Sequence, residues 1–503
     1  MNVTILTTAC AAIIHGTWLS DPLQETKLGR RAALSVSAFF CAMGALGSAW
    51  CEEWWHILIC RLILGVGIGA KASIAPVLAA EGAPDHLRGR LLMMWQVFDT
   101  FGIFVGFVCF WICRRSWQAL LGSAAVPSLI LLVLAFLCPE SPRFLIRNNK
   151  IAKAFISLRQ LRGSDIQAAK DLYYIHSQLQ LQTELFDGKR PEKWWEGDSY
   201  QEKVKNQFFF KRVWALFTVP RNRRAVVAAF LVMAAQQLCG INVLSFYSST
   251  LFRSVAPSNE ETPTSRNCNI ADIVNCNSLT DNRVAWQNIG FGLTNFLFTI
   301  PAYLWIDRKG RRILLLYSLG GIFFTLIMIA GFFRLINDND ARIGVVSALT
   351  IGVFTLFYGI GAGPVPFTFS AEVFPLAFRE VGMSFSVMVN FVGLSLLILF
   401  VPPLTAALSP KGLDFETYHL LGQSNMLFFF AGLNALAFVL VFFLVPSRTA
   451  EISLEEMDAI FNTRTSVHVL DHLSAVLRRP RGQERESEDE ETEIPLERTA
   501  PGA

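Results

Sequence analysis

Six carboxamides stand inside stretches that are otherwise apolar: Gln96, Gln236, Gln237, Asn242, Asn295 and Asn390. An amide side chain both donates and accepts hydrogen bonds, so such a set suits a solute that offers many hydroxyls. Gln236, Gln237 and Asn242 do not form one helical stripe, and unwinding near Gly240 would let them converge. The competing role for each is to bond one helix to another, worth under about 2 kcal/mol. Arg61, Lys71 and Asp99 also fall inside apolar stretches, where ionisable groups are expensive and usually functional. Arg61 costs about 3 kcal/mol at the centre of a bilayer. Eight strongly apolar residues between Ile57 and Ile68, at about −0.5 kcal/mol each, still favour insertion. Asp99 follows Gln96 by three positions and so shares its helix face, as a candidate titrating group.

A second set sits where apolar stretches end: Asp21, Arg30, Arg31, Glu81, Arg88, Glu140, Arg143, Asp307, Arg311, Arg312, Glu372 and Arg379. Carboxylates and guanidiniums placed at helix ends can pair, and the helix dipoles add to their field. No Ser/His/Asp arrangement and no metal-ligand spacing appears, so neither enzyme chemistry nor a cofactor is expected. The Gly65/Gly67/Gly69 run lies within an apolar stretch rather than after a strand, which fits close helix packing better than nucleotide binding.

The elements that position these residues follow from composition. The chain has 503 residues, of which 52% are hydrophobic and only 17% charged, against roughly 25% in soluble domains. It holds 42 Phe and 12 Trp, and the mean hydropathy is +0.41. A soluble core cannot hide so much apolar surface. About eleven stretches approach the ~20 residues needed to cross a bilayer: 2–20, 32–50, 56–79, 91–113, 117–137, 225–251, 283–306, 312–336, 343–370, 380–408 and 424–446. This is an all-α polytopic membrane protein. Short alternating segments are absent, which excludes an outer-membrane barrel, and a net charge of +4 gives no reason to expect nucleic acid. The first stretch has no basic lead and no convincing cleavage site, so it reads as a span rather than a secretion signal.

Basic residues set the orientation. One set of connections carries 27 Lys and Arg against 8 in the alternate set, and 17 of them lie in 138–224. That set is assigned to the cytosol. The chain then divides into an N-terminal bundle over 1–137, a cytosolic helical linker over 138–224, a C-terminal bundle over 225–446 and a tail over 447–503. The polar tail ends in an acidic run, a composition that predicts disorder. Cys268 and Cys276 stand apart from the other cysteines in a polar loop and could pair if that loop faces outward.

An internal repeat decides the class. Gly29-Arg30-Arg31 recurs as Gly310-Arg311-Arg312, 281 residues later. Glu81, Pro84 and Arg88 recur as Glu372, Pro375 and Arg379, 291 residues later, with the same internal spacing. Two signatures repeated in order, half a chain apart, indicate two related bundles facing a site near the bilayer midplane, a design common among secondary transporters.

Those motifs, together with Trp18-Leu-Ser-Asp-Pro, the Arg61–Gly69 run, Pro139-Glu-Ser-Pro-Arg-Phe-Leu, Gln236-Gln-Leu-Cys-Gly-Ile-Asn, Asp307-Arg-Lys-Gly-Arg-Arg and Gly363-Pro-Val-Pro-Phe, resemble the sugar porter family of the major facilitator superfamily, in a fungal-looking version. The resemblance runs from residue 1 to about 461. It implies a major facilitator fold of two pseudo-symmetric bundles. It also implies a cytosolic gate built from the twelve charged residues above, and sugar contacts from the six amides and Phe367. Phe367 and Phe391 stand where the family often has Trp. In proton-coupled relatives the residue matching Arg61 pairs with an acid on the first helix; here the chain begins as though at the second, leaving Asp99 as a candidate substitute, against the competing role of a carboxylate hydrogen-bonded within the bundle. Pro446-Ser-Arg-Thr replaces the family's Pro-Glu-Thr-Lys and loses an acidic gate partner, and Trp117-Gln118 stands where an Arg is usual.

The resulting expectation is a transporter of a hexose, pentose or polyol in a lipid bilayer, most simply the plasma membrane, with proton coupling left open. A sugar sensor that binds without transport, or an inactive truncated transporter, are the competing readings.

Overall fold

Within lipid, backbone groups have only one another as partners, so apolar stretches of this length become helices. The computed structural model describes residues 11–20, 29–84, 87–113, 116–187, 209–246, 282–336, 339–375, 378–410, 415–446 and 461, and no strand occurs among them. Ten helical segments are long and apolar enough to cross a membrane. They coincide with ten of the expected stretches. Of 2–20, residues 11–20 are described and form helix α1. Asp21, the Cys268 and Cys276 pair, and the tail beyond 446 apart from Phe461 lie outside the described residues.

The N-terminal half contains α1, α2 (Gly29–Ala49), α3 (Trp54–Gly82), α4 (Arg88–Ile112), and α5 (Trp117–Ser123) with α6 (Ala125–Leu137). Glycines let these helices approach closely. A Cβ on Gly67 would lie 2.8 Å from the Ser37 carbonyl oxygen of α2, and one on Gly69 would lie 2.1 Å from the Ile13 carbonyl oxygen of α1. Small residues at such crossings supply van der Waals contact where lipid offers no hydrophobic gain.

Four helices follow: α7 (Pro142–Arg147), α8 (Ile151–Arg162), α9 (Asp165–Asp187) and α10 (Phe209–Thr218). Phe144, Leu145, Ile146, Ala154, Leu158, Ala168 and Ile175 give α7 to α9 a small core of their own. Arg162 Nη1 donates to the Gly82 carbonyl at 3.0 Å and ties α8 to the end of α3.

The C-terminal half contains α11 (Pro220–Leu238), α12 (Ile241–Phe246), α13 (Asn282–Lys309), α14 (Arg311–Leu335), α15 (Asn339–Ala348), α16 (Pro364–Val373), α17 (Arg379–Leu408) and α18 (Phe415–Leu444). Helix α11 begins before the apolar stretch does, because Pro220 occupies its first turn and leads through Arg221, Arg223 and Arg224. It stops at Leu238; Gly240 adopts φ 83° and the chain restarts as α12. Between α15 and α16 the span is not a plain α-helix: Leu349–Phe354 and Tyr358–Ala362 are π-helical. The main buried cluster, with Phe291, Leu319, Phe354 and Phe430, lies in this half.

Candidate substrate site and charged closure

The repeated glycines come first, because they set the charges in place. Gly29 and Gly310 have φ 84° and 82°, a left-handed backbone that residues with a Cβ rarely adopt. Each turns the chain into a helix whose next two residues are arginines. Arg30 Nε donates to Glu81 Oε2 at 3.2 Å and its Nη2 to Oε1 at 3.3 Å. Arg311 Nε donates to Glu372 Oε2 at 3.1 Å and its Nη2 to Oε1 at 2.9 Å. The two forks use the same atoms in the same order, so the sequence repeat is a repeat of geometry. The second arginines also match. Arg31 donates to the carbonyls of Ala135, at 3.1 Å, and Phe136 at the end of α6; Arg312 donates to the Phe442 carbonyl at the end of α18. A cation there complements the negative helix terminus. Both residues therefore reach backbone carbonyls at helix ends.

Glu140 likewise accepts from main-chain donors, the amides of Arg30 at 2.9 Å and Arg31 at 3.2 Å. It caps α2. Asp307 accepts from Arg311 Nη2 at 3.2 Å and, across the bundles, from the Arg90 amide at 3.2 Å; Arg90 Nε lies 3.6 Å away. Arg88, Arg143 and Arg379 are buried. Glu380, absent from the sequence-based set, is fully buried and accepts from Arg30 Nη2 and from Arg147 Nη1, the latter at 3.4 Å. The clue was present: it stands 291 residues after Gly89, directly beyond the repeated Arg. Ser20 and Ser384 hydroxyls meet at 2.9 Å and add a buried contact between the halves.

The amides gather elsewhere. Gln236 Nε2 donates to the Gly363 carbonyl at 3.2 Å and to the Tyr358 hydroxyl at 3.3 Å, and its Oε1 accepts from Asn390 Nδ2 at 2.6 Å. Asn242 Nδ2 donates to Gln237 Oε1 at 2.5 Å, so the break at Gly240 does bring α12 back upon α11. Gln96 arrives from α4 in the other half, and a Cβ on Gly363 would lie 3.0 Å from its Nε2. Phe367 packs against Trp95 of α4, with ring centroids 5.4 Å apart; Phe391 lines the same small cluster. Tyr358 and Trp95 were not singled out from sequence, since an aromatic residue in an apolar span carries no distinguishing signal.

One of these amides, Asn295, has both side-chain polar atoms, Nδ2 and Oδ1, buried without a hydrogen-bond partner among the described residues, while Gln96 meets the Tyr358 hydroxyl. Buried polar atoms are rarely left so, because each costs about 1–3 kcal/mol. The arrangement suits a guest that both donates and accepts.

The ionisable residues of α3 and α4 divide. Lys71 acts electrostatically on Asp99. No ion pair joins Arg61 to Asp99 among the described residues.

A profile of sugar (and other) transporters matches residues 2–461. The chain belongs to that family. The transporter is 29% identical over 417 residues to myo-inositol transporter 2 of Schizosaccharomyces pombe, covering 80% of this chain and 67% of that one. It is 27% identical over 462 residues to the arabinose-proton symporter of Escherichia coli (strain K12), covering 90% and 83%. In structure it is similar to a proton:xylose symporter of the major facilitator superfamily bound to 6-bromo-6-deoxy-D-glucose. The TM-score is 0.68, with 22% identity over 91% of this chain and 89% of that one. The transporter thus has the major facilitator fold and is an integral membrane protein.

Proposed function

We propose that the transporter moves a small polyhydroxylated solute, a hexose, pentose or polyol, across the plasma membrane by alternating access. The observation that carries this reading is the buried set of amides drawn from both halves: the Gln236–Asn390–Tyr358 network, Gln96 reaching it from the other half, and Asn295, whose buried donor and acceptor have no partner among the described residues. Hydroxyls of the solute satisfy those atoms, while Phe367 and Trp95 offer a flat apolar face to a sugar ring. Gln237 and Asn242 complete the polar wall at the break in α11.

The charged end acts as the gate on the cytosolic side. Arg30–Glu81 and Arg311–Glu372 hold each half rigid, and Asp307–Arg90 joins the halves, so this conformation is closed to the cytosol. Arg88, Arg143 and Arg379 belong to the same gate, with Arg31, Arg312 and Glu140 fixing the helix ends on which it is built. Coupling to protons is assigned to Asp99. It stands 291 residues before Asn390, the matching site-facing position of the other half, and its charged neighbour is Lys71. A potential of 100 mV acting on one co-transported charge supplies about 2.3 kcal/mol, roughly 50-fold accumulation.

Uptake of radiolabelled hexoses, pentoses and polyols into proteoliposomes tests the reading. Saturable uptake of at least one class, competed by others, is expected. Specific binding without any uptake would replace transport with sensing.

A further inference from the structure

The two halves are built alike, yet their charged ends are closed by differently placed acids. In the C-terminal half the position after the repeated arginine is Glu380; in the N-terminal half it is Gly89. The missing side chain at Gly89 makes room for Asp307, whose Oδ1 would lie 2.0 Å from a Cβ there. Glu380 instead reaches out of α17 into the other half. Its Oε1 accepts from Arg30 of α2 and from Arg147 of α7, and Arg212 of α10 also attracts it. One carboxylate therefore joins the C-terminal bundle to the N-terminal bundle and to both ends of the linker. Arg30's other carboxylate, Glu81, belongs to its own half.

We propose that Glu380 is the latch of the cytosolic gate, a positioning residue that must release Arg30 and Arg147 each time the charged end opens. The assignment rests on the transport reading. Two features make the latch reversible rather than permanent. Burying an ion pair costs desolvation that offsets part of its attraction. In the closed state Glu380 Oε2 has no hydrogen-bond partner among the described residues, so opening to water restores solvation to that oxygen. Arg30 meanwhile keeps Glu81 and is not left as a bare buried charge.

The test uses the full chain, depleted of native cysteines, with Ser384→Cys as reporter. That position is fully buried at the bundle interface and becomes reachable from the charged side only when this end opens. Labelling by a membrane-impermeant maleimide is followed from that side in sealed vesicles. Glu380→Gln is expected to raise the rate about tenfold, and Glu380→Asp, which shortens the reach by one methylene, by less. Arg147→Gln, which keeps the Arg30 contact, should give a smaller rise than Glu380→Gln. Rates unchanged from the parent in variants that elute as folded protein would overturn the assignment; if Glu380→Gln fails to fold, Glu380→Asp decides. Labelling needs no solute. A parent chain without uptake would therefore sink the transport reading while leaving the latch to stand or fall on its own rates.

Discussion

Asn390 of α17 donates to Gln236 of α11 at 2.6 Å, leaving the Gln236 amide nitrogen for Tyr358 and the Gly363 carbonyl. Each atom of Gln236 is thereby oriented before any solute arrives. Asn390→Ala removes the orienting donor along with a polar contact of its own. It should raise the KM for uptake about 10- to 100-fold, equivalent to roughly 1.4–2.8 kcal/mol, with little change in protein yield. A concentration series of initial uptake rates measures this, and an unaltered KM would remove both residues from the site.

Asn295 gives the opposite signature to a structural amide. Both its side-chain polar atoms are buried without partners, so Asn295→Leu should leave the melting temperature equal or higher while weakening solute binding at least about tenfold. Thermal unfolding with and without solute separates the effects. A lower melting temperature without solute would mean that the amide bonds within the bundle.

Arg311 neutralises Glu372 and Asp307 together. Arg311→Ala takes the fork from buried Glu372 and leaves Asp307 with only its Arg90 contacts, and should cost about 3–5 kcal/mol, read as poor recovery of folded protein. Arg311→Lys keeps the charge but loses the planar fork, and an intermediate result is expected. Full stability of the alanine variant would show that water reaches this end freely.

At the repeated glycines, whose φ is 84° at Gly29 and 82° at Gly310, an alanine meets the cost of a left-handed backbone, about 1–2 kcal/mol. Gly29→Ala meets that cost and also the Glu140 carboxylate, whose Oε2 would lie 2.5 Å from the new Cβ. Gly29→Ala should therefore lose more in thermal unfolding than the backbone cost alone, and a loss of only that size would contradict the capping contact.

Asp99 is tested by separating accumulation from exchange. Asp99→Asn removes the group assigned to carry the proton, so uphill accumulation should vanish while counterflow of labelled solute persists. Accumulation that survives in this variant would assign the coupling elsewhere.

Much of this was legible in the residues alone, for a physical reason. Apolar runs have one conformation open to them in lipid, so ten spans could be placed from composition, and the 281- and 291-residue repeats announced the matching forks of Arg30–Glu81 and Arg311–Glu372. What spacing does not carry is the choice of partner. Arg31 and Arg312 look like their neighbours in sequence, yet one further step round α2 or α14 brings them to helix C-termini. Glu380 was hidden by a comparable ambiguity: an acid next to a repeated arginine reads as a local pair, and only the approach of the other half makes it a bridge. The break at Gly240 was foreseeable, whereas the π-helical stretches on either side of Thr355 were not, since no residue type demands them.

Those loosely wound stretches, Leu349–Phe354 and Tyr358–Ala362, fix the azimuth of everything downstream. A wide turn carries one residue more than the regular spiral, and each surplus residue rotates the rest of the rod by about 100°. Two of them swing the following segment through roughly 200°. Wound regularly, the same span would turn the Phe367 ring and the Glu372 carboxylate away from Trp95 and Arg311.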